Sequence, residues 1–310
     1  MTEAAPDVSV LVIAYNHELF IARALESVLM QRGVRIEVIV SEDCSTDGTL
    51  AIIRAAAAAD DRVAVMASEQ NLACNDTILR ALRAARGRYV AMLDGDDMWI
   101  VDDKLARQVA MLDGDPSLAA SFHNARVVLG DSFELEKRCW TAADHPPRIG
   151  MARIWEGNPF ATAAGLLRRD ALASIGDWYG ELGRARRTTM ITDWPLYIAC
   201  AEHGDLAFSP EPVAAYRLHQ DGVYSALPSR QKLDITAELY RRMDAGFGHR
   251  HHTLAAVGCE SYFTGWMIEY GTRGETALAW RSAWCALRSG GIGRAHGWRR
   301  WLADAARALR

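Results

Sequence analysis

The chain has 310 residues and half of them are hydrophobic, enough to bury a large core, which excludes a disordered protein. Its 35 Lys and Arg against 39 Asp and Glu leave a net charge of −4, which argues against general nucleic-acid affinity while allowing a local basic patch. The 6 cysteines are scattered without a CxxC pair, so neither a zinc ribbon nor a disulfide scaffold is indicated, and a reducing, cytoplasmic setting fits. The opening MTEAAPDVSVLVIAYN lacks a basic leader region, and no later run approaches a bilayer span, so a soluble protein is expected.

Val8–Ala14 (VSVLVIA) is a continuous β-branched run of the kind that forms a strand buried on both faces. In the following ELFIARALESVLMQ, Ile21, Leu25, Val28 and Leu29 collect on one helical face and Gly33 offers a stop. The alternation repeats: IEVIVS as strand, GTLAIIRAAAAA as helix, RVAVMAS as strand, NDTILRALRAA as helix, YVAML as strand. This rhythm predicts right-handed crossovers and a mostly parallel sheet flanked by helices. From Leu118 the elements shorten and mix, predicting an antiparallel or mixed extension, with VAAYRLH as a closing strand. After Ser229 the pattern is nearly all helical. Two units are expected, residues 1–228 as an α/β domain and 229–310 as a helical extension.

In parallel sheets, ligands bind beyond the carboxyl ends of the strands, at a switch in topology. YNHE follows the first strand, EDCSTDGT the second and DGDD the fourth, so separate polar segments converge on one edge. Neither GxGxxG nor GxxxxGK[ST] is present, which removes the dinucleotide-fold and P-loop readings. Asp94, Asp96 and Asp97 repel one another, and a partly dry cluster of this kind requires a cation or several donors. Taken alone, DGDD is equally a solvated turn.

Five segments in order, VSVLVIAYN, SEDCSTDGT, ARGRYVAMLDGDDMW, TDWPLYIACAEHG and YRLHQDGVYS, resemble the inverting GT-A glycosyltransferases of family 2, over roughly residues 7 to 225. The resemblance implies a GT-A, Rossmann-like fold and an enzyme that moves a sugar from a nucleoside diphosphate sugar, a UDP sugar being favoured, to a glycan, lipid-linked or other hydroxyl acceptor. It places Ala14, Tyr15 and Asn16 beside the nucleotide and makes Asp43 the acceptor for a pyrimidine ring N–H. Asp94 and Gly95 would face the ribose and nucleotide, while Asp96, Asp97 and His219 would hold Mn²⁺ or Mg²⁺, hard ions suited to oxygen ligands. Asp193, at the start of a helix, matches the general base, its basicity expected to be lowered by the helix N-terminus. Trp194, Asp177 and Glu181 are weaker acceptor candidates, and Asp47 reads as a helix cap. Ala14, Glu42 and Thr192 depart from the usual pattern without removing an essential group.

From Arg288 the tail carries Arg288, Arg294, Arg299, Arg300, Arg307 and Arg310 against Asp304, interleaved with Trp298, Trp301, Leu302 and Leu309. Such a helix either lies on an anionic membrane, here the inner face of the cytoplasmic membrane, or packs with a solvated Arg face. HRHH at His249–His252 has no carboxylate or Cys neighbour in the sequence and reads as a solvated helix start. Two other classes compete. A sugar-nucleotide nucleotidyltransferase should carry a Gly-rich basic loop after the first strand, where IAYNHE stands, and a non-catalytic nucleotide-sugar-binding protein should have lost the Asp cluster or the base.

Overall fold

The structure, a computed structural model, describes residues 5–72, 74–184, 192–219, 227–291 and 297–309. The first half alternates as the hydrophobic runs dictate: β1 (Val8–Ala14), α1 (Ile21–Leu29), β2 (Ile36–Glu42), α2 (Thr49–Ala59), β3 (Val63–Ala67), α3 (Cys74–Ala84) and β4 (Tyr89–Asp94). Every residue of β1 is buried, because strands flank it on both sides and helices cover both faces. β1, β2, β3 and β4 are parallel, in the order β3-β2-β1-β4. The crossover switches direction at β1, so the chain ends of β1, β2 and β4 open a crevice at one sheet edge.

The second half extends the sheet. After β5 (Met98–Trp99) and α4 (Lys104–Gly114) come β6 (Leu118–Leu129), β7 (Arg148–Ile149), α5 (Met151–Glu156), β8 (Gly165–Arg168), α6 (Asp177–Arg184), α7 (Trp194–Ala201) and β9 (Asp205–Leu218). β8 runs antiparallel to β4 and β6, and β9 runs parallel to β6, which makes the sheet mixed beyond β4. The closing strand begins earlier than VAAYRLH suggests. Pro210 and Pro212 interrupt the pattern, and the β6–β9 ladder absorbs them through register shifts at Phe122, Asn124 and Ala125.

α8 (Ser229–Gly246), α9 (His252–Thr272), α10 (Thr276–Arg288) and α11 (Trp298–Ala308) complete the chain. One apolar cluster runs from Leu11 and Met92 in the sheet through Trp155 and Trp194 to Phe263 and Trp301 in these helices. Close approach requires small residues: a Cβ on Gly258 of α9 would lie 2.2 Å from the Trp155 carbonyl oxygen of α5. No helix of the described residues is long and apolar enough to cross a membrane.

On the other face of the sheet Lys104 is fully buried, its Nζ donating to Gln108 Oε1 at 2.8 Å and the Gly165 carbonyl at 3.1 Å, 4.4 Å from the Trp99 ring centre. Burial strips water from the ammonium and brings its pKa from 10.5 down to about 7. The unfolded chain therefore holds this proton over an interval where the folded chain has lost it, so the lysine's contribution to stability grows as pH rises above about 7. In urea unfolding, the wild type should gain about 1.5 kcal/mol relative to Lys104→Met between about pH 7 and about pH 8.5. Parallel curves for the two proteins would show that the amine does not titrate there.

Candidate active site

The loop after β1 and the loop after β2 are laced together. Asn16 adopts φ 55°, accepts from the Thr46 N–H at 2.8 Å and donates its own N–H to Ser45 Oγ. The His17 N–H donates to Thr49 Oγ1 and the Gly48 N–H to Glu18 Oε2, each at 2.7 Å. Asp47 takes N–H groups from Glu18 and Thr49, so its carboxylate serves the start of α2 and the first loop together. Tyr15 is left exposed at the crevice rim, above the buried Ala14.

Asp43 is buried at the end of β2, where its N–H donates to the Ala14 carbonyl and its Oδ1 accepts from the Leu72 N–H at 2.7 Å. Burial raises its pKa, against the hydrogen bonds from Leu72 and Thr77 and the charge of Arg80. Arg80 itself braces the crevice floor, donating to Ser41 and Ser68 hydroxyls and to the Met66 carbonyl.

The DGDD segment turns sharply after β4, the Asp97 N–H donating to the Asp94 carbonyl and the Gly95 N–H to Ile13 of β1. β9 secures this turn from across the sheet. The Arg217 N–H donates to Asp97 Oδ1 at 2.8 Å, the Arg217 guanidinium to the Asp96 carbonyl at 2.9 Å, and His219 Nε2 lies 3.0 Å from Asp96 Oδ2. Arg217 also lies over the rings of Phe20 and Phe133. The rest of the YRLHQDGVYS segment, from Gln220, lies outside the described residues.

Crowding sets the protonation of the three carboxylates. Burial, then the charges of Asp96 and Asp193, push Asp94 up to about 8. Burial, then Asp96 and Asp94, hold Asp97 well above the ordinary carboxylate range. Burial opposes ionisation of Asp96 as well, but the hydrogen bond from His219 and the charge on His17 outweigh it and keep Asp96 below the usual value. Two buried polar atoms here have no partner, Asp97 Oδ2 and His17 Nδ1. His17 is a site residue that motif reading passed over: YNHE offered it as one polar residue among four, and only folding brings it to Asp96.

Asp193 stands at the N-cap of α7 with Pro195 in the first turn. Its Oδ1 accepts from the Trp194 N–H at 2.8 Å, and its Oδ2 accepts from Asn158 Nδ2 at 2.9 Å and Thr162 Oγ1 at 3.1 Å. Asn158 and Thr162 had no signal in the sequence, being contributed by a loop between α5 and β8. The expected lowering of basicity is corrected: burial outweighs these donors and raises the Asp193 pKa. The three acceptor candidates divide differently. The Trp194 ring is buried and donates to the Ile154 carbonyl at 2.7 Å, a scaffold position, not an exposed ring. Asp177 is exposed on α6 and paired with Arg83 at 2.6 Å, and Glu181 is exposed on the same helix.

Residues 9–176, more than half of the chain, match the family described as Glycosyl transferase family 2, and the chain belongs to that family. It is a glycosyltransferase, as its ordered segments imply. An uncharacterised protein of Mycobacterium tuberculosis is 30% identical over 264 residues, 81% of this chain and 71% of its own length. The UDP-Glc:alpha-D-GlcNAc-diphosphoundecaprenol beta-1,3-glucosyltransferase WfaP of Escherichia coli is 37% identical over 93 residues, 30% of this chain and 36% of that one. Among solved structures, the mannosyltransferase PcManGT of Pyrobaculum calidifontis, in complex with GDP-Man and Mn²⁺, shares the GT-A-like fold at a TM-score of 0.57 and 18% identity, over 99% of this chain and 86% of its own.

Gly95 is the tightest point of the acidic turn. A Cβ there would meet His17 Nδ1 at 2.6 Å, Ile21 Cδ1 at 3.0 Å and the Ile13 carbonyl oxygen at 3.2 Å. Gly95→Ala should destabilise the protein by about 1–3 kcal/mol in urea unfolding. An unchanged midpoint would mean that the His17 ring swings aside at no cost.

Proposed function

We propose that this glycosyltransferase moves a sugar from a nucleoside diphosphate sugar to a hydroxyl acceptor with inversion, in bacterial surface polysaccharide or glycoconjugate synthesis. The reading rests above all on one observation: the buried acidic turn stands at the carboxyl end of β4, beside the ends of β1 and β2, with His219 Nε2 3.0 Å from Asp96 Oδ2, and Asp193 is near enough for its charge to act on Asp94. A donor bound across the strand ends would have its diphosphate at the acidic turn, and its sugar would lie between that turn and Asp193. The 1–228 segment would be the catalytic unit and the 229–310 helices its extension.

The donor set at the turn fits a divalent cation. Asp96 Oδ2 and His219 Nε2 already converge, Asp97 Oδ2 is buried without a partner, and burial together with the neighbouring carboxylates raises the pKa values of Asp94 and Asp97. Mg²⁺ and Mn²⁺ typically take one or two protein ligands and complete their shell with substrate phosphates and water. Asp96, His219 and Asp97 would hold the ion, which when bound would stabilise the charge developing on the departing diphosphate.

The acceptor side follows from Asp193. Its Oδ2 is saturated by Asn158 and Thr162, while Oδ1 has the single Trp194 N–H and can accept the proton of an attacking hydroxyl. The raised pKa improves proton capture, and the Asn158 and Thr162 donors fix the plane of the carboxylate. For the base, Asp43 at the end of β2 supports a pyrimidine, hence UDP, with Tyr15, Asn16 and Asp94 completing the nucleotide surface over the buried Ala14 and Gly95. PcManGT was solved with GDP-Man, which makes the base the first point to test.

A thermal-shift series with UDP, GDP and dTDP, each with and without Mn²⁺, should give its largest metal-dependent rise with UDP, and a rise with GDP alone would overturn that choice. Asp96→Ala should remove the metal-dependent component. Asp193→Asn should keep it while lowering turnover by about 10²–10⁴. Undiminished transfer by Asp193→Asn would remove the general-base assignment.

On α11, Trp301 is buried and donates to Thr264, while Trp298 and Leu302 are exposed beside Arg299 and Arg300. Arg294 and Arg310 lie outside the described residues. The exposed face supports peripheral contact with an anionic membrane, where a lipid-linked acceptor would be met. Co-sedimentation with phosphatidylglycerol vesicles should fall for Trp298→Ala with Leu302→Ala, and equal sedimentation of wild type and variant would exclude this face.

A further inference from the structure

The turn between α8 and α9 gathers side chains that the sequence keeps apart. Asp244 lies in the last turn of α8, and the chain then reverses through Gly248 and His249, both at positive φ, 60° and 59°. The reversal returns the histidine run onto the carboxylate. His249 Nδ1 donates to Asp244 Oδ2 at 2.8 Å and His252 Nδ1 approaches the same oxygen at 2.9 Å. The reading of HRHH as a solvated helix start without a carboxylate is therefore corrected: the partner is five residues upstream, hidden by the helix end. The neighbouring pair is anchored too, Arg250 and His251 both binding Glu202 at the end of α7.

We infer that Asp244, His249 and His252 form a second divalent-metal site, of the zinc class, separate from the acidic turn after β4. One ligand atom from each lies within 4.8 Å of the others. Two imidazoles and a carboxylate are a borderline-soft set that suits Zn²⁺ and leaves one position open. Tetrahedral ligands at about 2.0–2.2 Å from zinc stand a little over 3 Å apart, so each Asp244–His spacing needs to open by about half an ångström. Asp244 is buried, and its second oxygen, Oδ1, has no hydrogen-bond partner. Burial opposes ionisation of Asp244, but the hydrogen bonds from the two imidazoles outweigh it and lower the pKa, so the carboxylate is held ionised, as a metal ligand must be, with Oδ1 left free.

The site would pin the α8–α9 corner. That corner carries Gly246 and Phe247, against which Trp178 of α6 packs: a Cβ on Gly246 would lie 2.2 Å from Trp178 Cε3. A bound ion would thus stiffen the helical face that supports α6. Asp244 and His252 also line a cavity of about 920 Å³ between α8, α9 and α10, which gives the open position access to water.

The test uses untagged full-length protein carrying Asp96→Ala, so that the acidic turn is disabled, stripped on a chelating resin and offered ZnCl₂ alone. About one equivalent of zinc should be retained after desalting, with a rise in melting temperature, and Co²⁺ in its place should give visible absorption bands of a nitrogen-containing low-coordinate site. Adding His249→Ala and His252→Ala, both at exposed rings, should abolish retention, the melting rise and the bands while far-UV circular dichroism shows the variant still folded, and His249→Gln with His252→Gln, which keeps a hydrogen-bond donor near Asp244, should do the same. Zinc retained by either histidine variant, or no zinc retained by their parent, would overturn the site. Full retention by Asp244→Asn would reduce it to capture by a surface histidine pair and would overturn it equally.

Discussion

The organisation of the molecule depends on holding three carboxylates together at the end of one buried strand. Asp94 ends β4, and Asp96 and Asp97 follow it after a single glycine, where water has limited access to relieve their repulsion. The fold compensates from a distance of some 120 positions in the chain: β9 brings the Arg217 N–H and guanidinium to the turn and His219 to Asp96. β9 can do this because it lies beside β6 and carries β5, the two-residue strand that leaves the acidic turn. The long mixed half of the sheet is thus the support that keeps the acidic turn in place.

The same logic governs the second carboxylate. Asp193 is a helix cap by position, yet burial and three donors make it a strongly oriented base candidate instead of a merely stabilised anion. Helix capping alone would hold a carboxylate low and unreactive. Here the desolvation cost wins, and Asn158 and Thr162 decide the direction in which the remaining lone pair is presented. The adjacent Trp194 turns its ring into the core against Tyr240 of α8, which couples the placement of Asp193 to the C-terminal helices.

Those helices are continuous with the core through Trp155, Trp194, Phe263 and Trp301, and their outer surfaces differ in character. α11 exposes Trp298 and Leu302 among arginines, whereas the α8–α9 corner presents histidines over a buried carboxylate. Glycines at the close contacts, Gly246 against Trp178 and Gly258 against Trp155, let aromatic side chains carry the packing between layers. The acidic turn with Asp193 and the helical region therefore share structural supports without sharing chemical groups.

Much of this was legible in the chain. Hydrophobic periodicity set the alternation of the first half, because β-branched runs and amphipathic helices obey local rules, and the strand ends then located Ala14, Asp43 and Asp94 on one edge. The ordered motifs added Asp193 and His219 to the same set. What the sequence could not show is any group whose meaning lies in a neighbour far along the chain. His17 beside Asp96, Asn158 and Thr162 on Asp193, and Asp244 beneath His249 and His252 carry no local pattern. The pKa order within the acidic turn and the raised value at Asp193 likewise depend on burial, which arises only when the layers pack. Local physics determined the elements and the residues at their ends, and tertiary packing decided which of those residues touch and how much water each one loses.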